Sequence, residues 1–101
     1  MPFGDFINAI PPIGFLAIHV ALFAIGAFFA WRSFGAAAPT LAWGFALFAL
    51  AEVSYMTYHL DWTTFLFAHT ISEVLDAGAF ILVFVAASAR ILAPSTAASR
   101  A

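Results

Sequence analysis

Residues 65–92 read FLFAHTISEVLDAGAFILVFVAASARIL. A helix of this length and apolarity spans the roughly 30 Å hydrocarbon core of a bilayer, which takes roughly 20 mostly apolar residues. Yet its first half carries His69, Glu73 and Asp76. Ionisable groups cost about 2.5–3.5 kcal/mol each inside a membrane helix, so they mark a site as well as a span. The stretch therefore decides the fold class, an all-α integral membrane protein, and points to where its chemistry lies.

Two more windows qualify upstream, and the three expected transmembrane spans are 13–31, 40–60 and 65–92. Pro11 and Pro12 break the chain before the first span. The junction RSFGAAAPT, residues 32–40, separates the first two. There Gly35 suits a helix end, and Pro39 suits a helix start beside Thr40. The short junction DWTT, residues 61–64, makes the second and third spans a tight antiparallel hairpin. Asp61, Thr63 or Thr64 is expected to cap the third helix. Residues 1–93 thus form one membrane domain, and the tail at 94–101 is expected to be disordered.

Composition agrees. Of 101 residues, 65% are hydrophobic and 8% charged, against roughly half and a quarter in soluble domains. Only three residues are Lys or Arg, and net charge is -2. That excludes the cationic surface a nucleic-acid binder needs and a polybasic lipid-binding segment. Without cysteine there is no disulfide, thiolate metal site or thiol nucleophile.

Arg32, Arg90 and Arg100 fall on one side after three crossings. The positive-inside rule makes that side cytoplasmic, with the N-terminus and the DWTT turn outside. Trp31 and Trp43 then lie near the inner interface and Trp62 at the outer one. The expected location is a bacterial-type inner (plasma) membrane, multi-pass. The segment before the first span holds Asp5 and no Lys or Arg, unlike the positive start of a signal peptide, so this span is read as retained.

Helical spacing gathers the polar residues. Glu52, Tyr55, Met56 and His59 share one face of the second helix, and His69, Ser72, Glu73 and Asp76 one face of the third. Folding the chain about residue 64 sets His59 level with His69, Tyr55 with Glu73, and Glu52 with Asp76. His19 on the first helix falls at a similar depth. That helix also carries a small-residue stripe, Gly14, Ala17, Ala21 and Ala24, suited to close packing against the hairpin or another subunit. The inner half offers only apolar inward positions, Phe45, Phe48, Phe80 and Val83, so the polar pocket is expected to open outward and be sealed inward.

Imidazoles with carboxylates suit a divalent metal ion, Zn, Fe or Mn, with Glu52, His59, His69, Glu73 and Asp76 as ligands. His19, His59 and His69 are alternatively axial ligands for haem or bacteriochlorophyll. The same groups also suit a proton-linked sensor or transporter component, or a structural accessory subunit in which they only hydrogen-bond between helices. No nucleophile-elbow, zinc-protease or phosphate-loop motif occurs, so no catalytic residue is assigned. Three helices bury little surface for so many polar groups, so besides the lipid bilayer the expected partner is a second copy or a larger membrane complex.

Overall fold

The computed structural model describes residues 3–92. The tail expected to be disordered lies outside the described residues, as does Arg100. A short 3-10 helix at Asp5–Ala9 leads into α1 (Pro12–Gly35), α2 (Pro39–His59) and α3 (Phe65–Leu92). All three are long and apolar enough to cross a membrane. Proline opens α1 and α2 because its ring presets the helical φ and its missing N–H would have no partner in a first turn.

Gly35 is the last residue of α1 and Pro39 the first of α2, as expected, and the left-handed residue between them is Ala37, at φ 54°. Ala38 N–H bonds the Ser33 carbonyl and Ala37 N–H the Phe34 carbonyl, the paired bonds of a Schellman cap. α2 ends the same way. Asp61 takes φ 62°, Trp62 N–H bonds Thr57 O, and Asp61 N–H bonds Tyr58 O. Asp61 therefore closes α2 and does not cap α3. Thr64 takes the capping position of α3 through its backbone carbonyl, which accepts from Ala68 N–H. Thr63 instead places its hydroxyl 3.0 Å from that of Thr57.

A left-handed conformation costs a non-glycine residue roughly 1–2 kcal/mol. Ala37→Gly is accordingly expected to stabilise the chain by up to about 1 kcal/mol, read as a rise in the midpoint of reversible unfolding in mixed micelles. A fall in that midpoint refutes the cap assignment.

α2 lies between its neighbours and packs against both. Small residues make this possible: Gly26, Ala30 and Ser33 of α1, Ala42, Gly44, Ala49 and Ala51 of α2, and Ala68, Ser72 and Ala79 of α3 are buried. Lipid tails are as apolar as leucine, so close backbone approach, not apolar burial, drives such helices together. Buried hydroxyls finish the seam between α2 and α3. Ser72 donates to Ala51 O at 2.9 Å and Ser54 to Ala68 O at 3.1 Å, contacts that run antiparallel.

The stripe expected on α1 does not face the hairpin. Ala17, Ala21 and Ala24 are exposed, while α1 turns Phe15, His19, Leu22, Gly26, Ala30 and Ser33 inward. These positions repeat every three to four residues and place His19 over α2. The outward surface is mostly apolar, with Ile18, Phe28, Phe84 and Ile91 among its exposed side chains.

Candidate functional site

The deepest polar group is Glu52, 5% exposed and held one to two turns from the end of α2 among small buried neighbours. Its Oε2 lies 2.5 Å from Nδ1 of His19 on α1. A carboxyl group buried among apolar side chains needs a partner of this kind. The imidazole comes from α1, outside the hairpin that carries the other polar residues.

Across the other seam Tyr55 of α2 donates its hydroxyl to Oε1 of Glu73 on α3, at 3.4 Å. Glu73 is exposed on the outer surface of α3. The two polar pairs are joined by rings. His19 stacks on Tyr55 at 5.1 Å between centroids and on His59 at 5.2 Å. His59 in turn stacks on Phe15 at 5.0 Å and meets Tyr58 edge-on at 4.9 Å. Phe65 bridges Tyr58 to His69, and His69 sits 6.4 Å from Tyr55. The result is a belt of aromatic and imidazole rings around one end of the bundle, drawn from all three helices. Phe15, Tyr58 and Phe65 are its walls. Sequence reading passed them over because an aromatic residue in an apolar span carries no distinguishing signal.

The expected pairings of His59 with His69 and of Glu52 with Asp76 are not made. The cause is the fold point. The junction at 61–64 is itself centred between residues 62 and 63, and with α2 ending at His59 and α3 beginning at Phe65 the midpoint lies near residue 62, so an expected midpoint of 64 is two residues too far along. A shift of two residues at the turn offsets facing positions by four, about one helical turn. Tyr55 thus comes level with His69, Glu52 with Ser72, and Phe48 with Asp76. Tyr55 still reaches Glu73 because its side chain is long enough to span the offset.

Asp76 therefore leaves the polar cluster. Its Oδ1 is buried and has no hydrogen-bond partner among the described residues. It stands in the wall of an apolar groove of about 420 Å³ formed by all three helices, lined with Phe45, Phe48, Phe80 and Val83 among others. These positions, on the Arg32 side of the polar site, are apolar as expected, but they leave a groove between them.

The polar groups meet in twos. Among the described residues no three His, Asp or Glu side chains converge so as to hold one metal ion. His19 and His59 lie face to face in contact, so as placed they do not flank a tetrapyrrole. The arrangement is that of two hydrogen-bonded cross-helix pairs inside a ring-lined end.

Comparison with known proteins finds no matching family model, and neither a curated protein nor a solved structure that is similar to the chain. The fold and site define the class: an all-helical protein with three helices able to span a membrane and a His–carboxylate pair between two of them.

Proposed function

We propose that the chain is a multi-pass protein of a bacterial-type plasma membrane, N-terminus outside and C-terminus inside, whose His19–Glu52 pair takes up and releases a proton as part of a sensing or transport assembly. The 2.5 Å contact between His19 Nδ1 and Glu52 Oε2 carries this reading. An imidazole and a carboxyl group sharing one hydrogen across a helix seam form a unit whose proton content alters how the helices attract each other. Tyr55, whose hydroxyl bonds to Glu73, makes a second pair with exchangeable protons, and its ring stacks on that of His19.

The orientation rests on Arg32 and Arg90, which lie at the end of the bundle opposite the polar site. Exposed Trp31 and Trp43 at that end, and Trp62 at the other, suit the two interfaces. The assembly rests on Glu73, eight residues inside α3, about 12 Å along its axis. An exposed carboxyl group at that depth requires a polar partner or a water-filled cleft. A second copy or a larger complex supplies either.

The test is an acid-minus-neutral infrared difference spectrum of the protein in nanodiscs, from about pH 5 to 8, the window in which histidine ordinarily titrates. A protonated-carboxyl band and an imidazole band are expected to change together. Both are expected to vanish in Glu52→Gln, and the carboxyl band to shift in His19→Leu. Independent bands, or none in folded protein, sink the proposal and leave the pair a packing device. Elemental analysis of the same preparation guards the other side: a near-stoichiometric divalent ion would make the site a metal centre.

A further inference from the structure

We infer that two copies of this chain pair in the membrane through an exposed stripe of α3, with Glu73 of each copy hydrogen-bonded to Glu73 and Thr70 of the other. The inference rests on the assembly reading above and names its partner and its surface. Among the described residues of the three spans, Glu73 is the one ionisable side chain that is both exposed and more than a turn from a helix end. Its Oε1 accepts from Tyr55 at 3.4 Å, long for a hydroxyl bond, so its own chain matches the carboxyl group poorly. In lipid that is costly.

Spacing picks out the surface around it. Leu66, Thr70, Glu73, Ala77, Phe80 and Phe84 recur in alternating steps of four and three, and all six are exposed. This is a heptad stripe, the pattern by which two helices wrap around each other in register. The neighbouring stripe through Phe67, Ile71, Val74 and Ile81 is also exposed but wholly apolar. Apolar contact alone gives a helix no preference for another helix over lipid tails.

Symmetry and chemistry choose the occupant. Copies inserted with one topology pair about an axis along the membrane normal, which sets each residue of the stripe at the depth of its twin. Glu73 then meets Glu73. Two carboxyl groups that share a proton match each other, since the O–H of one donates and an oxygen of the other accepts. Side chains lean toward the N-terminus of their helix, so each Glu73 also reaches back toward the Thr70 hydroxyl of the other copy. Ala77, next along the stripe, lets the backbones close at the crossing. One surface thus carries both the acceptors and the donors its partner must supply, as a self-pairing interface requires. Arg32 and Arg90 lie at the far ends of their spans, so a second copy offers Glu73 a carboxyl partner and not a cation.

The chain has no cysteine, so single cysteines report the interface without background. The test is oxidative cross-linking of the full chain in lipid vesicles with copper–phenanthroline. Ala77→Cys and Phe84→Cys are expected to form disulfide dimers at least roughly tenfold faster than Val85→Cys, an exposed position turned about 100° away from the stripe. Glu73→Leu is expected to weaken association roughly tenfold in sedimentation equilibrium in density-matched micelles, the size of one interhelical hydrogen bond. Glu73→Gln should keep most of it, because an amide both donates and accepts. Circular dichroism verifies that each variant is folded. Cross-linking that is alike on and off the stripe, or a Glu73→Leu variant that associates as tightly as the parent chain, overturns the inference. So does a folded chain that sediments as a monomer, which leaves the exposed carboxyl group to a larger complex. Glu73 bonds to neither His19 nor Glu52, so the infrared bands can fail while the cross-links stand, and the reverse.

Discussion

Replacing Glu52 by leucine is expected to destabilise the protein by about 3 kcal/mol, the low end of what removing one partner of a buried pair costs. His19 is left facing an apolar side chain at a depth where it has no other hydrogen-bond partner among the described residues. His19→Leu should cost a similar amount, because it strands a carboxyl group that is 5% exposed. The double variant is expected to regain most of the loss, since neither polar group then remains to be desolvated. The check is a double-mutant cycle on reversible unfolding in mixed micelles. Two single losses of about 3 kcal/mol, with most of the loss regained in the double variant, correspond to a coupling of about 3 kcal/mol or more, at the top of the range for residues in direct contact. Interhelical hydrogen bonds in membranes average about 0.6 kcal/mol. A coupling at or below that value would reduce the pair to an ordinary packing bond and remove the ground for reading it as a site.

The second large effect lies in the seam between α2 and α3. A Cβ added at Gly44 would sit 2.7 Å from Val83 Cγ2 and 3.2 Å from the Ala79 carbonyl oxygen. The backbone of α3 cannot move aside without separating the helices. Gly44→Val is expected to cost about 3 kcal/mol or more, at the upper end of overpacking penalties. It should also break Ser72 to Ala51 and Tyr55 to Glu73, because both bridge the same seam. Gly26 offers a graded comparison. Its Cβ would meet the Phe48 ring at 2.8 Å, and a side-chain ring can rotate, so Gly26→Ala should cost less. Gly35, with open space around it, serves as the control and should accept alanine with little change. Thermal unfolding of the four proteins in one detergent orders them. If Gly44→Val unfolds with Gly35→Ala, the close packing of α2 on α3 is wrong, and with it the register that places Asp76 in the groove.

Much of this molecule is local, and local features are legible in a sequence. A run such as 65–92 is apolar enough to leave water wherever the rest of the chain goes, so three helices able to span a membrane follow from composition and length alone. Helical period likewise puts Glu52, Tyr55 and His59 on one face and His69, Ser72 and Glu73 on another without reference to any partner. Partner choice is not local. It depends on which face α1 presents, and that follows from steric fit: Gly26, Ala30 and Ser33 let α1 approach α2, whereas Gly14, Ala17, Ala21 and Ala24 look as suitable in the sequence. It depends also on where the turn is centred: with α2 ending at His59 and α3 beginning at Phe65, Tyr55 comes level with His69 and Glu52 with Ser72, about one turn from the pairing that a midpoint of 64 gives. Those two tertiary facts gave Glu52 to His19, left Asp76 alone above a phenyl-lined groove, and turned an expected ring of ligands into separate pairs. Side-chain periodicity repeats each turn, so a one-turn slip preserves every pattern visible in the sequence while changing every partner in the structure.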